Sequence, residues 1–247
     1  MAISIINWKI KLYNMFDCAQ YENCNECCCP VKPLLYNDLS KENKEILFYH
    51  RREVEFKAGE TIFKQSTAIT HIACLREGFV KITAEAHQGK TLLIGISQPG
   101  DIFGITGLYV DEIHHSSFQA ITDIKVCLLE VNSFKQVLET NIKFSLSLLK
   151  RLNQLAIKSK NRTIDLTSKT MYARVADMII YLSTIIYKSN KFTTTLKRQD
   201  LADFCALSKE CMIRILKSYK EDKIISIKGD DFEIHNLNEL KKLSQYN

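Results

Sequence analysis

The chain has 247 residues, 46% hydrophobic and 25% charged, with 3 Pro and 8 Gly. That composition excludes a disordered or fibrous chain and leaves room for two modest globular domains. The formal charge of +6 is concentrated late: residues 141–170 hold seven Lys/Arg against one acid, and residues 190–228 hold nine against five.

A basic C-terminal half suits a polyanionic partner, although a solvated basic surface gives the same count. No apolar run approaches the roughly 20 residues that span a bilayer. Residues 1–11, broken by Asn7 and Lys9, lack the basic start and long apolar core of a secretion signal. The expectation is a cytoplasmic protein with no membrane role.

In chain order, residues 1–34 form a Cys-rich lead. Of nine Cys in the chain, Cys18, Cys24, Cys27, Cys28 and Cys29 fall here, closed by Pro30 and Pro33. In a reducing cytosol such a cluster points to metal, iron–sulfur or thiol redox chemistry rather than a disulfide framework. Residues 35–140 read mostly as short strands punctuated by glycines. Residues 79–83 and 90–94 flank Gly89 as a hairpin, and residues 118–131 supply one or two more strands. Many short strands with Gly turns predict a sandwich or roll.

From Ser133 the period becomes helical. Over residues 141–166, Leu148, Leu152, Leu155, Ser159, Arg162 and Leu166 alternate steps of four and three, a heptad seam. Lys and Arg crowd the other faces, which predicts a dimerisation helix. A heptad stripe can also pack against its own domain. Thr167-Ser168-Lys169 reads as a hinge and N-cap, and residues 171–187 as a further helix, opening a last unit over 167–247.

The strongest local signal lies in residues 196–234. Residues 197–205 read as a short helix with Leu201, Ala202 and Cys205 inward. Ala206-Leu207 is a tight turn. Ser208 then N-caps a second helix whose apolar face is Cys211, Met212, Ile215 and Leu216, leaving Lys209, Glu210, Ile213, Arg214 and Lys217 on other faces. A helix entering the major groove needs directional side chains near its N-terminus. Arg214 can pair with guanine O6 and N7, Glu210 can accept from cytosine N4, and Lys209 can reach a guanine or a phosphate. Ser208 and Lys197 suit phosphate contacts. Residues 224–234 read as a β-hairpin wing. The bland alternative is a small helical core with ordinary surface charges.

At these residues the chain resembles the Crp/Fnr family. Phe56-Lys57-Ala58-Gly59-Glu60-Thr61-Ile62-Phe63, Leu75-Arg76-Glu77-Gly78-Phe79-Val80-Lys81 and Pro99-Gly100-Asp101-Ile102-Phe103-Gly104 match its effector-domain motifs in order and spacing. Thr195-Leu196-Lys197-Arg198-Gln199-Asp200-Leu201-Ala202 and Leu207-Ser208-Lys209-Glu210-Cys211-Met212-Ile213-Arg214-Ile215-Leu216 match its DNA-binding motif. The resemblance implies an α+β chain: an N-terminal β-roll (a double-stranded β-helix like a cyclic-nucleotide-binding domain), a long dimerisation helix and a C-terminal winged helix-turn-helix. It implies a homodimer on palindromic double-stranded DNA, with RNA polymerase as a further partner. Glu210 and Arg214 occupy the base-reading positions, favouring a TGA-containing half-site. Lys209 stands where the cyclic AMP receptor branch has Arg, and Ile213 replaces a small or polar residue.

Cyclic AMP binding in the family needs a Glu where this chain has Ile105, and an Arg-Ser pair where it reads Ile113-His114-His115-Ser116-Ser117. The phosphate loses its cation and the ribose its acceptor, so cyclic AMP is not expected. The run His114-His115-Ser116-Ser117-Phe118-Gln119-Ala120, followed by Val126-Cys127, is instead similar to the oxygen-sensing Fnr branch. That likeness implies a [4Fe-4S] cluster, with Cys127 as internal ligand and the lead supplying the rest. The spacing of the lead departs from the branch. The expected set is Cys24, Cys27, Cys29 and Cys127, with Cys18 as substitute; zinc, thiol redox, an organic ligand in the roll, or no metal are the alternatives. Cys74, Cys205 and Cys211 sit on apolar faces and read as core.

No catalytic triad, paired-acid site or phosphate-binding Gly loop is present, so no enzyme is expected. A rival of another class is a cyclic-nucleotide-type binding module without a DNA role, which leaves the basic second helix unexplained.

Overall fold

A computed structural model describes residues 39–86 and 91–245. Its elements run α1 (Lys41–Tyr49), β1 (Arg52–Phe56), β2 (Thr61–Phe63), β3 (His71–Glu77), β4 (Val80–Glu85), β5 (Thr91–Ser97), β6 (Ile102–Phe103), β7 (Ser117–Ala120) and β8 (Ile124–Glu130). Helices α2 (Val131–Thr140), α3 (Ile142–Ser168) and α4 (Met171–Tyr181) follow, then a π turn over Leu182–Ile186. The last part is β9 (Lys191–Thr193), α5 (Arg198–Phe204), α6 (Lys209–Glu221), β10 (Ile225–Lys228), β11 (Asp231–Ile234) and α7 (Leu237–Leu243).

The strands of the first part form two antiparallel sheets, ordered β1-β8-β3-β6 and β2-β7-β4-β5. Strand alternation sorts their side chains onto two faces. Ala73, Leu75, Val126, Phe103, Phe118 and Val80 point into the roll and make one core. Ile72, Cys74, Cys127 and Leu129 point the other way, under a cover of Leu39, Leu47, Phe134, Val137, Phe144 and Leu148. The β3–β4 turn crosses close to the β7–β8 connection. Gly78 has φ +80 there, and a Cβ at that position would stand 2.4 Å from the Asp123 carbonyl oxygen. Only glycine fits such a crossing.

Helix α1 was not expected inside a region read as short strands. Ser40 starts it, its Oγ accepting from the Asn43 amide at 3.2 Å, and Leu47 anchors it in the core beside Cys127. Helix α3 runs 27 residues, about 40 Å at 1.5 Å per residue. The Asn141 side chain caps its start. Lys169 ends α3, and the N-cap of α4 is Thr170, whose side chain accepts from Ala173. The cap therefore lies one residue beyond the expected Thr167-Ser168-Lys169 signal.

The C-terminal elements share a core in which Val175, Ile179, Leu201, Ala202, Met212, Ile215, Leu216 and Phe232 are buried. Leu93, Ile96 and Ile121 from the roll belong to the same apolar cluster, so the two halves of the chain are packed together. Lys81 on β4 bonds Asp200 on α5 at 3.0 Å, with both side chains mostly covered. Arg162 on α3 donates to the carbonyls of Leu93, Ile94 and Phe204, and lies over the Phe204 ring at 4.1 Å. Arg162 thus touches the roll and the C-terminal unit at once. Among the described residues no helix is long and apolar enough to cross a membrane.

Candidate nucleic-acid interface

Helix α5 opens with the N3 half of a capping box: Asp200 Oδ2 accepts from the Lys197 amide at 2.9 Å. It stops at Cys205, and Ala206 turns the chain in the left-handed region at φ +53. The Ser208 Oγ then accepts from the Cys211 amide at 3.1 Å and starts α6. Met212, Ile215, Leu216 and Tyr219 are the buried stripe of α6. Steps of three and four place them on one side and leave the other to solvent. On that outer side Lys209, Glu210, Ile213, Arg214 and Lys217 are all exposed, as are Ser208 and Lys197 at its edge.

The chemistry of this face is set by its caps. Backbone and Ser208 hydrogen bonds hold the Glu210 carboxyl below its ordinary value, so it remains an acceptor. Arg214 rests with Nη2 3.8 Å from the Cys211 Sγ, a weak contact that a better acceptor displaces. Cys211 is half-buried against the Met171 sulfur at 3.5 Å, so it sits at the edge of the core rather than in it. Cys205 is a true core residue, and burial pushes its thiol up to about 12.

Beside α6, β10 and β11 pair as the wing, and β9 joins as a third strand that was not expected from the sequence. Arg198 of α5 fixes the wing tip by donating to the Gly229 carbonyl at 2.5 Å and by lying 5.2 Å from the centre of the Phe232 ring.

The stripe expected to pair two chains is only partly open on α3. Leu148 is 6% exposed in the helix-side core and Leu152 packs beside it. Arg162 is engaged with the roll and Phe204. Leu166 is half-buried, while Ser159 is exposed and Leu155 is 37% exposed. Leu148, Leu152 and Arg162 are engaged within their own chain, while Leu155 and Ser159 of the same stripe stay exposed. A second stripe is open: Ile142, Leu146, Leu149, Ile157 and Ile164 are exposed, with Asn153 and Lys160 between them. At 100° per residue it lies roughly 140° around the helix from the first.

Where a cyclic nucleotide would meet the family's polar groups, Ile105 is buried and His114 is 2% exposed. The His114 ring stacks on Phe63 at 4.5 Å beside Phe118. Among the described residues its Nδ1 has no hydrogen-bond partner, and burial pushes its pKa down. Gly104, at φ +86, leaves room for this stack, since a Cβ there would sit 2.9 Å from the Phe63 ring. His115 pairs outward with Asp111 at 3.0 Å.

Of the candidate metal ligands only Cys127 falls among the described residues, on β8 at 2% exposure. Cys18, Cys24, Cys27 and Cys29 lie outside them, as does Cys28. Among the described residues no group of three or more His, Cys, Asp or Glu could hold a metal ion.

The comparisons agree with the geometry. The family profile described as "Cyclic nucleotide-binding domain" matches residues 53–141, and that described as "Crp-like helix-turn-helix domain" matches residues 173–243. A roll of the one kind joined to a helix-turn-helix of the other defines a DNA-binding transcription regulator rather than an enzyme. The chain is 22% identical to "Electron transport regulator A" of Shewanella oneidensis over 90% of each. It is 26% identical to the "Anaerobic regulatory protein" of Haemophilus influenzae over 79% of this chain and 77% of that one. In fold it is similar to FixK2 from Bradyrhizobium japonicum, with a TM-score of 0.72 at 19% identity over 80% of this chain and 98% of that one. The chain belongs to the Crp/Fnr family, with Fnr-like regulators among its relatives.

Proposed function

We propose that the protein is a homodimeric regulator that reads a palindromic, TGA-containing site, with Glu210 and Arg214 contacting base edges. The observation that carries this is the exposed row Lys209, Glu210, Ile213, Arg214 and Lys217 on the outer face of an N-capped helix beside a wing. Lys197 and Ser208 sit at its edge and supply phosphate contacts, while Ile213, 47% exposed, offers an apolar contact to a thymine methyl. The dimer forms along Ile142, Leu146, Leu149, Asn153, Ile157, Lys160 and Ile164. The interruption by Asn153 and Lys160 fixes register, as single polar residues do in two-stranded coiled coils. Pairing there sets two copies of α6 about 34 Å apart, one turn of DNA. RNA polymerase is the natural further partner of a regulator so placed.

For the signal we infer an oxygen-labile [4Fe-4S] centre held by Cys24, Cys27, Cys29 and Cys127, with Cys18 as substitute. The fit rests on Cys127: a soft donor buried beside Leu39, where the chain arrives from the lead. Ten residues separate Cys29 from Leu39, a reach of up to about 35 Å. Cys127 also shares its apolar cluster with Phe144, Leu148 and Leu152 of α3. Such a group supplies sensitivity to oxygen or nitric oxide. The chain's own part is to pass a change in packing at Cys127 to α3 and its open stripe. Cyclic AMP is disfavoured by Ile105 and by a neutral, buried His114. An organic ligand in the roll remains the alternative signal.

The test is anaerobic purification followed by absorption spectroscopy, iron and sulfide analysis, and binding to a palindromic duplex against a scrambled one. Coloured protein that bleaches in air and then loses palindrome affinity supports both parts. Colourless, iron-free protein that binds the palindrome keeps the regulator and rejects the cluster. Equal affinity for both duplexes rejects the base-reading assignment.

A further inference from the structure

Strands β3 and β8 are antiparallel neighbours, and Cys74 stands directly opposite Cys127. Directly opposed residues send their side chains to the same face of a sheet. Both belong to the helix-side cluster, 3% and 2% exposed, and both are thiols in this structure. We propose that Cys74 and Cys127 are a redox-active pair that closes into a disulfide across β3 and β8.

The register brings the two Cα atoms within disulfide range. Opposed residues in an antiparallel pair have Cα atoms about 4.5 or about 5.5 Å apart, depending on the pair type. A disulfide accepts Cα atoms about 4.4–6.8 Å apart, so the opposed pair lies within reach, and a small approach of the Cβ atoms completes the bond. Cys74 is flanked on its other side by Ile102 of β6, and Cys127 by Glu53 of β1. Neither strand has to slip for the bond to form. The cover over the pair includes Leu39 and Leu47 at α1. Helix α1 has nine residues, a length marginal on its own in water, so its lifting gives a small oxidant access.

The oxidant is a small-molecule disulfide such as oxidised glutathione. The thiolate of one cysteine attacks a sulfur of that disulfide, releasing one glutathione thiolate and leaving a mixed disulfide. The thiolate of the other cysteine then attacks the protein sulfur and expels the second glutathione. One S–S bond breaks and one forms. The pair loses two electrons and two protons, which leave on the two glutathione thiols.

One consequence rests on the iron–sulfur reading above. A Cys127 bound to Cys74 is not available as a ligand, so closure holds the chain in its iron-free state until it is reduced. The disulfide itself does not depend on that reading.

The experiment uses the full chain, reduced and freed of iron, then incubated with oxidised glutathione. Thiols are trapped by alkylation during unfolding, and the digest is analysed by mass spectrometry without reduction. The expected product joins the Cys74 and Cys127 peptides, disappears on treatment with dithiothreitol, and raises Tm by several degrees. A second chain, with Cys18, Cys24, Cys27, Cys28 and Cys29 all changed to Ser, removes competing thiols and should give the same link. A Cys74→Val chain should show no Tm rise. Recovery of Cys74 and Cys127 both alkylated from either chain, after the native fold has been checked by circular dichroism, overturns the proposal. Linkage of either only to other cysteines does the same. Iron uptake by the untreated chain is scored separately. Iron without the link leaves the cluster reading and removes the pair; the link without iron does the reverse.

Discussion

The two halves of the chain treat polar chemistry in opposite ways. In the C-terminal half, Lys209, Glu210, Arg214 and Lys217 stand in solvent on a helix whose core stripe is fully occupied. In the roll, the place where relatives of the nucleotide-binding kind need an acid and a cation is filled by Ile105 and by the His114–Phe63 stack. The C-terminal half therefore turns charge to solvent, while the roll at these two positions is buried and apolar or stacked. In the function proposed above, specificity lies with α6 and the signal with the helix-side face of the roll, around Cys127.

The largest test of that contrast is Arg214→Ala. A bidentate arginine–guanine contact is worth about 1–3 kcal/mol of discrimination, and a dimer makes it twice, so palindrome affinity should fall by about 2–6 kcal/mol. The loss should vanish for duplexes already altered at the contacted guanine, as read by fluorescence anisotropy at fixed salt. An equal loss on every duplex would make Arg214 a phosphate contact.

Next in size is a pair of adjacent substitutions on α3. Leu148 is buried in the chain's own core and Leu149 is 52% exposed. Leu148→Ala should cost about 2–5 kcal/mol of stability, the usual range for a buried leucine. Leu149→Glu should leave monomer stability within about 0.5 kcal/mol but give a monomer in sedimentation and at least a tenfold weaker grip on the palindrome. If Leu149→Glu stays dimeric, the open stripe is not the seam.

His114 sharpens the comparison from the roll side. Burial holds its pKa below the ordinary 6.5, so the fold keeps the ring neutral. As pH falls through about 6.5 the unfolded chain takes up a proton that the fold refuses. This contribution to stability is complete above that value and is lost below it, by up to about 1.4 kcal/mol per pH unit. His114→Phe should therefore lose less Tm than the parent chain between pH 7.5 and 5.5. Parallel Tm curves would mean that the ring gains a partner or is hydrated.

How far the sequence could be read follows the range of the forces involved. The helix-turn-helix was legible because its signals are local: Leu201, Ala202 and Cys205 inward, a turn at Ala206, a cap at Ser208. The two sides of α3 were not separable in the same way. Periodicity reports a stripe but not what covers it, and α3 carries one that is partly covered, at Leu148, Leu152 and Arg162, and one left open. Helix α1 was missed because its apolar anchors, Ile46 and Leu47, are few, and its place is set by contact with α2 and β8. The opposition of Cys74 and Cys127 was also out of reach, since it depends on the register of two strands 53 positions apart.

The smallest effect separates positioning from reading on the α6 face itself. Lys217 is exposed two turns into the helix, its Nζ 3.7 Å from Glu221 in a pair open to solvent, which is worth little. If Lys217 meets a phosphate, Lys217→Ala should weaken binding to every duplex by a similar factor. It should also reduce the slope of log affinity against log salt by about one. The measurement is a salt titration on a palindrome and on a scrambled duplex with both chains. A slope change on both duplexes makes Lys217 part of the electrostatic footing. A change confined to the palindrome would move it to the reading set beside Arg214, extending the contrast between the halves one residue further along α6.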